Sequence, residues 1–387
     1  MQIVIPMSGF GERFRKVGYN VPKPLIMIDG KTIIQHVVEM FPGEEDITFI
    51  CNSDHLKEPE YRMQEILEEI APKGKIIAIN PHKLGPVHAV LQIIDQLDLN
   101  KPTIVNYADF TCDWDYIDFC SMVQKTECDG AIPCYRGFHP HTIWSNYYAY
   151  VQEEQMCAWD IQEKKPFTNS PREEFASSGT YYFRSGELMQ HYFEQCVVKD
   201  LTVNGEYYVS MAYKPMMKDR LNIQVYELEH FMQWGTPADF EEYRYWSNTF
   251  RSILDEQEPP KHKGALILPM VGLGSRFQKE GYETPKPLIT VSNRPMAAQA
   301  FMDLPQTERQ RFILRSNLKD IDKLQNALRE HARSAEFTIL DYMTDGQATT
   351  CVAGATGLAI DRPVTIAACD NGMIYDASAF KLLMDSN

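Results

Sequence analysis

Two glycines, an arginine and a lysine stand close together near the start of the chain, as Gly9, Gly11, Arg13 and Lys23 in IPMSGFGERFRKVGYNVPKPLI. Glycine lacks a Cβ, so such a turn reaches unusual φ values and lets backbone amides approach an anion. Arginine offers phosphate oxygens a planar fork, and lysine a mobile point charge. Two cations and a row of amides on one loop, with Phe10 between the glycines, suit a triphosphate. Glycines after a strand also serve as plain turn formers. The set recurs, however, in LPMVGLGSRFQKEGYETPKPLI, as Gly272, Gly274, Arg276 and Lys286. Residues 3–26 aligned with 266–289 give 14 identities in 24 positions without a gap, far above chance. A nucleotide site follows.

What is missing narrows the kind of site. The chain has no GxxxxGK[ST], and GFGERF lacks the third glycine of the dinucleotide fingerprint. Asp29 falls about where a ribose-binding acid would sit in a Rossmann unit, which keeps a dinucleotide oxidoreductase among the alternatives. Against it, Pro22 and Pro24 interrupt the stretch where the following helix should run, and an interior proline costs a helix roughly 3 kcal/mol.

The elements that must position these residues alternate. QIVIPM, ITFICN, KIIAIN and PTIVNYAD read as strands, with TIIQHVVEMF, YRMQEILEEI and VHAVLQIIDQL as helices between them. That is the pattern of βαβ units on a largely parallel sheet. From about 130 to 185 the aromatic-rich runs GAIPCYRG, YYAYVQEE, MCAWDIQEK and GTYYFRSG predict an added mixed or antiparallel section. Helices at GELMQHYFEQC and GEYYVSMAYKPMM, a strand NIQVYELE and a helix after WGTPADF complete a first unit, residues 1–250. DEQEPPKHKG marks a linker over 251–264. A second unit, 265–387, continues in register with the first: FILRSN answers FICNSD, DGQATTCV answers LGPVHAV, and RPVTIAACDNG, with Asp370, answers KPTIVNYADFT. On the first unit's scale it is an incomplete copy, or the front of a complete second domain in a longer parent chain. A spacing of 263 residues means duplication of a domain, not a solenoid.

Bulk properties exclude several classes. A net charge of −15 argues against general binding of a nucleic-acid backbone. Nine scattered cysteines, none in CxxC spacing, indicate neither a zinc site nor a disulfide framework, which fits a cytoplasmic protein. No apolar run is long enough for a membrane span, and Met1 leads straight into a strand rather than a signal segment. A homo-oligomer stays open, since no heptad is present.

GFGERF, PKPL, LGPVHAV, YADF, IQEKKP, SSGTYYF, NGEYY and QWGTP occur in this order, and through them the first unit resembles the sugar-1-phosphate nucleotidyltransferase superfamily, which includes glucose-1-phosphate thymidylyltransferase and related pyrophosphorylases. The resemblance covers nearly the whole first unit. It implies a Rossmann-like mixed α/β sheet of the GT-A-like kind, here in tandem with the incomplete copy. It also implies transfer of a nucleotidyl group from a nucleoside triphosphate to a sugar 1-phosphate, with release of pyrophosphate, for surface polysaccharide or glycan synthesis. In that reaction a phosphomonoester oxygen attacks the α-phosphorus in line, so two anions must be held together.

Carried over residue by residue, Gly9, Phe10, Gly11 and Arg13 hold the triphosphate, Lys23 bridges toward the reacting phosphates, and Asp109 binds Mg²⁺. Gly85 and His88 face the base. Glu163, Lys164, Gly179 and Glu206 form the acceptor side. Simpler roles are a turn acid for Asp109, a helix cap for His88 and exposed charges for Glu163 and Lys164. Two positions depart from the family pattern: His88 stands where a glutamine is common, and Gln233 where an aspartate often binds metal. The second copy keeps Gly272, Gly274, Arg276, Lys286 and Asp370, has Thr349 in place of His88, and is expected at most to bind nucleotide. A non-catalytic nucleotide or sugar-phosphate sensor is the alternative from another class.

Overall fold

Strand β1 (Gln2–Met7) is buried along nearly its whole length, as a strand inside a parallel sheet covered on both faces must be. In the computed structural model, which describes residues 1–139, 148–254, 261–359 and 361–385, the chain divides into two compact units, Met1–Asn248 and Thr249–Asn387. In the first, β1 pairs in parallel with β2 (Ile47–Asn52), which pairs in parallel with β3 (Lys75–Ile79), and on its other side with β4 (Thr103–Asn106). Helices α1 (Glu12–Lys16), α2 (Ile33–Glu39), α3 (Met63–Ile70) and α4 (Pro86–Leu91) fall between these strands, as the alternating pattern predicts.

The second half of the unit adds β5 (Phe110–Asp113), α5 (Tyr116–Thr126), β6 (Gly130–Tyr135), β7 (Ala149–Glu154), β8 (Cys157–Glu163), β9 (Phe175–Ser177) and β10 (Thr180–Phe183). It closes with α6 (Gly186–Val198), α7 (Ser210–Lys218), β11 (Ile223–Glu227), β12 (His230–Gln233) and α8 (Pro237–Leu254). The result is one mixed sheet in the order β9-β7-β8-β11-β6-β10-β4-β1-β2-β3, in which β10 runs antiparallel to both β4 and β6. The first tyrosine of the predicted strand YYAYVQEE lies outside the described residues. Apart from the sheet, β5 and β12 form an antiparallel two-stranded ribbon. Cores lie on both faces of the sheet, one around Phe14, Phe49, Phe119 and Trp234, the other around Val90, Phe183, Phe193 and Tyr213.

The expected linker over 251–264 differs from the observed backbone. Helix α8 runs on to Leu254, and β13 (Lys261–Pro269) begins at Lys261, where it pairs in register with Gln306. Only 255–260 remain of that linker, and they lie outside the described residues. The second unit continues with α9 (Ser275–Lys279), α10 (Met296–Met302), β14 (Gln306–Arg315), α11 (Ile321–His331), β15 (Ala335–Leu340), α12 (Gln347–Ala355) and β16 (Val364–Ile366). Its sheet is parallel throughout, in the order β15-β14-β13-β16. Its own core gathers Leu266, Phe301, Phe312 and Leu324.

Candidate active site

In the first unit β1 lies between β2 and β4, so the connections leaving β1 and β4 diverge at the carboxyl edge of the sheet. Open α/β sheets bind ligands at such a switch point. The glycine loop leaves β1 there. Gly11 takes the left-handed conformation at φ +64 and opens α1, which spans only five residues and is anchored by fully buried Phe14. Pro22 and Pro24 interrupt the helix, as the sequence leads one to expect, and the chain makes a single 3-10 turn there, Lys23–Leu25. A Cβ on Gly11 would lie 3.8 Å from Lys23 Cβ, so the loop and the lysine are in contact. Gly9 is exposed with open space above it. Arg13 is exposed and makes no hydrogen bond or ion pair with the described residues.

Asp109 follows β4, where the backbone passes from the main sheet into the ribbon. Trp234 N donates to Asp109 O at 2.9 Å, which fixes the end of β12 against it. Lys23 Nζ donates to Asp109 Oδ2 at 2.7 Å and lies 3.5 Å from Gly235 O. The glycine loop, Lys23 and Asp109, from three separate stretches of sequence, are thereby brought together. A Cβ on Gly235 would meet Gln233 Nε2 at 2.5 Å and Asp109 Oδ2 at 3.3 Å, which places the Gln233 amide beside Asp109.

Asp239 caps the helix that follows. Thr236 Oγ1 donates to its carboxylate at 2.7 Å and accepts from its backbone N–H at 3.2 Å, a reciprocal cap at the start of α8. Burial raises the Asp239 pKa, Thr236 opposes the shift, and the Asp109 charge adds to it. Two oxygens here suit a hard divalent cation, the Asp109 carboxylate and the Gly235 carbonyl, at a point that already attracts an ammonium group, while Gln233 turns its Nε2 toward them. Among the described residues no cluster of three His, Cys, Asp or Glu side chains is assembled, so most ligands of such an ion would be phosphate oxygens and water.

The segments that the sequence assigns to the base and to the acceptor meet at Gly85. Its φ is +89, and a Cβ there would come within 2.8 Å of both N and O of Tyr207, so only glycine allows the 206–207 backbone to pass. Tyr207 N donates to Leu84 O, and Val87 N to Tyr207 O, which ties the two segments together. From this junction Tyr208 Oη donates to Glu206 at 2.6 Å and accepts from Lys164 Nζ. Lys164 itself sits at φ +60. Glu163 is well enclosed: Ser210 Oγ donates to it at 2.6 Å, and burial raises its pKa. Glu163 and Lys164 are therefore parts of a network, not solvated strand-end charges. Gly179, at φ +102, lets Phe110 and Tyr107 close in to about 3 Å of where a Cβ would sit. Burial and the bond to Glu206 push the Tyr208 hydroxyl up, and the Arg13 charge opposes that rise.

His88 is the third residue of α4 and half-buried, with Gly85 at the cap position, so it does not cap the helix. Its ring packs edge-on against His82 at 4.8 Å, and burial depresses the His82 pKa. Asp29 has no free carboxylate for a ribose: Tyr243 and Ser247 of α8 donate to it at 2.7 and 2.8 Å. Sequence reasoning missed Lys83, which pairs with Glu12 at 2.6 Å and lies 5.6 Å from the Phe10 ring centroid, over the glycine loop. It also missed Tyr107, Tyr208 and Ser210, ordinary residues whose only signal is nearness to Asp109 and Glu206.

In the second unit Lys286 Nζ pairs with Asp370 Oδ2, and Gly274 takes φ +63. Arg276 is exposed, and Gly272 has open space above it.

Comparison with known proteins gives the family and the fold. The family model described as "Nucleotidyl transferase" matches residues 3–217, more than half of the chain. The chain belongs to the nucleotidyl transferase family, and its first unit is a nucleotidyltransferase domain. It is 31% identical over 109 residues to the bifunctional protein GlmU of Ralstonia pickettii, covering 28% of this chain and 22% of that one. It is 30% identical over 99 residues to GlmU of Methanocaldococcus jannaschii, again covering 22% of the relative. The chain thus spans about a fifth of the length of these curated relatives. Among solved structures, the nucleoside-diphosphate-sugar pyrophosphorylase of Vibrio cholerae RC9 aligns with a TM-score of 0.51 at 19% identity, covering 63% of this chain and all of that one. A Bacillus anthracis protein described as a glucose-1-phosphate thymidylyltransferase, in complex with sucrose, aligns at 0.50 and 16%, covering 64% and 95%. These two show a shared fold. No helix among the described residues is long and apolar enough to cross a membrane.

Proposed function

We propose that the first unit transfers a nucleotidyl group from a nucleoside triphosphate to a sugar 1-phosphate or similar small phosphomonoester, releasing pyrophosphate. The observation that carries this reading is the Lys23–Asp109 pair, set against a left-handed glycine loop on one side and the Glu163, Lys164, Glu206, Tyr208 network on the other. An acceptor phosphate oxygen attacks the α-phosphorus, the bond to the β-phosphate oxygen breaks, and the leaving pyrophosphate takes the electron pair. Arg13 and the loop amides orient the triphosphate. Lys23 sits where it can neutralise charge on the reacting phosphates, and the fixed network holds the acceptor at the proper distance. Asp109, with the Gly235 carbonyl beside it, would hold Mg²⁺, which screens the phosphate charges when bound.

The product, an activated sugar, is a donor for glycosyl transfer, so we assign the protein a supplying role in surface polysaccharide or glycan assembly, in the cytoplasm where triphosphates are made. The second unit is a related copy of the front of the same domain, supported by the shared strand order and the repeated lysine–aspartate pair. Gln233, which brings no charge to a metal, favours a second reading in which the first unit binds its ligands without turnover. Pyrophosphate release, measured with a panel of triphosphates and sugar 1-phosphates in Mg²⁺, separates the two. Release that depends on one acceptor supports the transferase; binding of both ligands without release supports the sensor.

A further inference from the structure

The second unit repeats the charged geometry of the first at a place that the family match, ending at residue 217, does not reach. Its strands take the order β15-β14-β13-β16, which corresponds to β3-β2-β1-β4, and β13 feeds its loop as β1 does. Gly274 reproduces the left-handed turn at φ +63, against +64 at Gly11. Lys286 Nζ lies 5.7 Å from the Phe277 ring centroid, as Lys23 lies 5.9 Å from that of Phe14. The Lys286 and Asp370 side chains are 26% and 31% exposed, close to 20% and 29% for Lys23 and Asp109.

Stability does not account for this pair. A partly exposed ion pair contributes about 0–1 kcal/mol, and any desolvation of its two charges counts against it. Arg276 adds a second cation, and it makes no hydrogen bond or ion pair with the described residues. An uncommitted arginine, an open glycine turn and a half-exposed lysine on one loop form a receptor for a row of phosphate oxygens.

The base side differs. Gly85 is closed over by Tyr207, whereas Gly346, at the start of α12, has nothing within 4 Å of where a Cβ would sit. Two threonines are taken up by its carbonyl: Thr350 Oγ1 lies 2.9 Å and Thr344 Oγ1 3.3 Å from Gly346 O, and the two hydroxyls are 2.6 Å apart. We infer that the second unit holds its own site for a polyphosphate taken with a divalent cation, built on Gly274, Arg276, Lys286 and Asp370, with little discrimination of the base. The ligand is free triphosphate or the phosphate tail of a nucleoside triphosphate.

The test is isothermal titration of the full chain with inorganic triphosphate in Mg²⁺. Two sites per chain are expected in the wild type, and one in Arg13→Ala with Lys23→Met. Adding Lys286→Met to that double variant weakens the remaining site at least about tenfold, the loss of one charge-assisted contact. Arg276→Ala, a change at an exposed side chain, weakens it without disturbing the fold and guards against a folding artefact. Uridine, cytidine, adenosine and guanosine triphosphates bind the remaining site within about tenfold of one another and of inorganic triphosphate. A single site in the wild type that is lost in Arg13→Ala with Lys23→Met overturns the inference. So does a second site indifferent to both substitutions, a preference for one base above tenfold, or binding of nucleotides but not of inorganic triphosphate.

Discussion

Replacing Lys23 by methionine separates the chemical role of the lysine from its structural one. Lys23 Nζ is 2.7 Å from Asp109 Oδ2, with the two side chains 20% and 29% exposed. At an effective dielectric constant near 20, that separation corresponds to about 6 kcal/mol of attraction, most of which offsets the cost of desolvating the two ions. The net loss of folding free energy is therefore about 1 kcal/mol, a fall in Tm of roughly 2–4 °C for a unit of this size. The kinetic loss is larger. A pre-placed charge aimed where negative charge develops is worth about 2.7–4 kcal/mol in the transition state, so kcat falls roughly 10²–10³-fold while KM for the triphosphate rises less than about tenfold. The assay is pyrophosphate release at saturating acceptor, with the triphosphate varied, alongside a thermal melt. If kcat holds and only KM rises, Lys23 serves ground-state binding alone. A Tm loss above about 10 °C would make the pair a structural element of the fold.

Three further substitutions probe the frame around that pair. Gly85→Ala forces a Cβ to within 2.8 Å of Tyr207 N and O at a positive φ, so it destabilises by about 1–3 kcal/mol and raises KM for the sugar phosphate; an unchanged melt would deny the close approach. Burial raises the Glu163 pKa above its ordinary 4.5, so between 4.5 and the raised value the folded state binds more protons than the unfolded, and stability falls as pH rises through that window. Glu163→Gln keeps the Ser210 contact and removes this cost, so at pH 8 the variant melts no lower than the wild type while its sugar-phosphate KM rises; a lower melt contradicts the assignment. Asp29→Ala removes the acceptor of the Tyr243 and Ser247 hydroxyls, costs about 1–3 kcal/mol and speeds hydrogen exchange in α8, whereas a loss of NAD binding would revive the dinucleotide alternative.

Much of this site is legible in the sequence because its parts are local. The glycine turn, the Pro-Lys-Pro-Leu turn and the strand that ends at Asn106, three residues before Asp109, are each read from a few adjacent residues, and the order of strands and helices follows from hydrophobic period. What escapes is set by distant pairing. The ribbon of β5 with β12 joins segments some hundred residues apart, each only four residues long, and it decides that Gln233 and Gly235 stand beside Asp109. Asp29 looks like a ribose acid by spacing alone, yet two hydroxyls of α8 claim it, a partnership that no local pattern encodes. The proposed linker failed at its edges for a similar reason: Lys261 and His262 are polar in sequence but extended because β14 supplies partners at Gln306 and Thr307. Lys83 carries no local signal, and it lies over Phe10 only because the loop before α4 comes near the glycine turn.

The central claim is that Asp109 and Lys23 of the first unit carry nucleotidyl transfer. The most direct measurement incubates the full chain with α-labelled triphosphate, Mg²⁺ and a panel of sugar 1-phosphates, and follows the label into product for the wild type, for Asp109→Asn and for Arg13→Ala with Lys23→Ala. The label should pass to one nucleoside-diphosphate sugar with equimolar pyrophosphate in the wild type, and turnover should fall at least about 10²-fold in both variants while their melts stay cooperative. Label transfer at wild-type rates in Asp109→Asn, or no transfer to any acceptor by the wild type, would contradict the account.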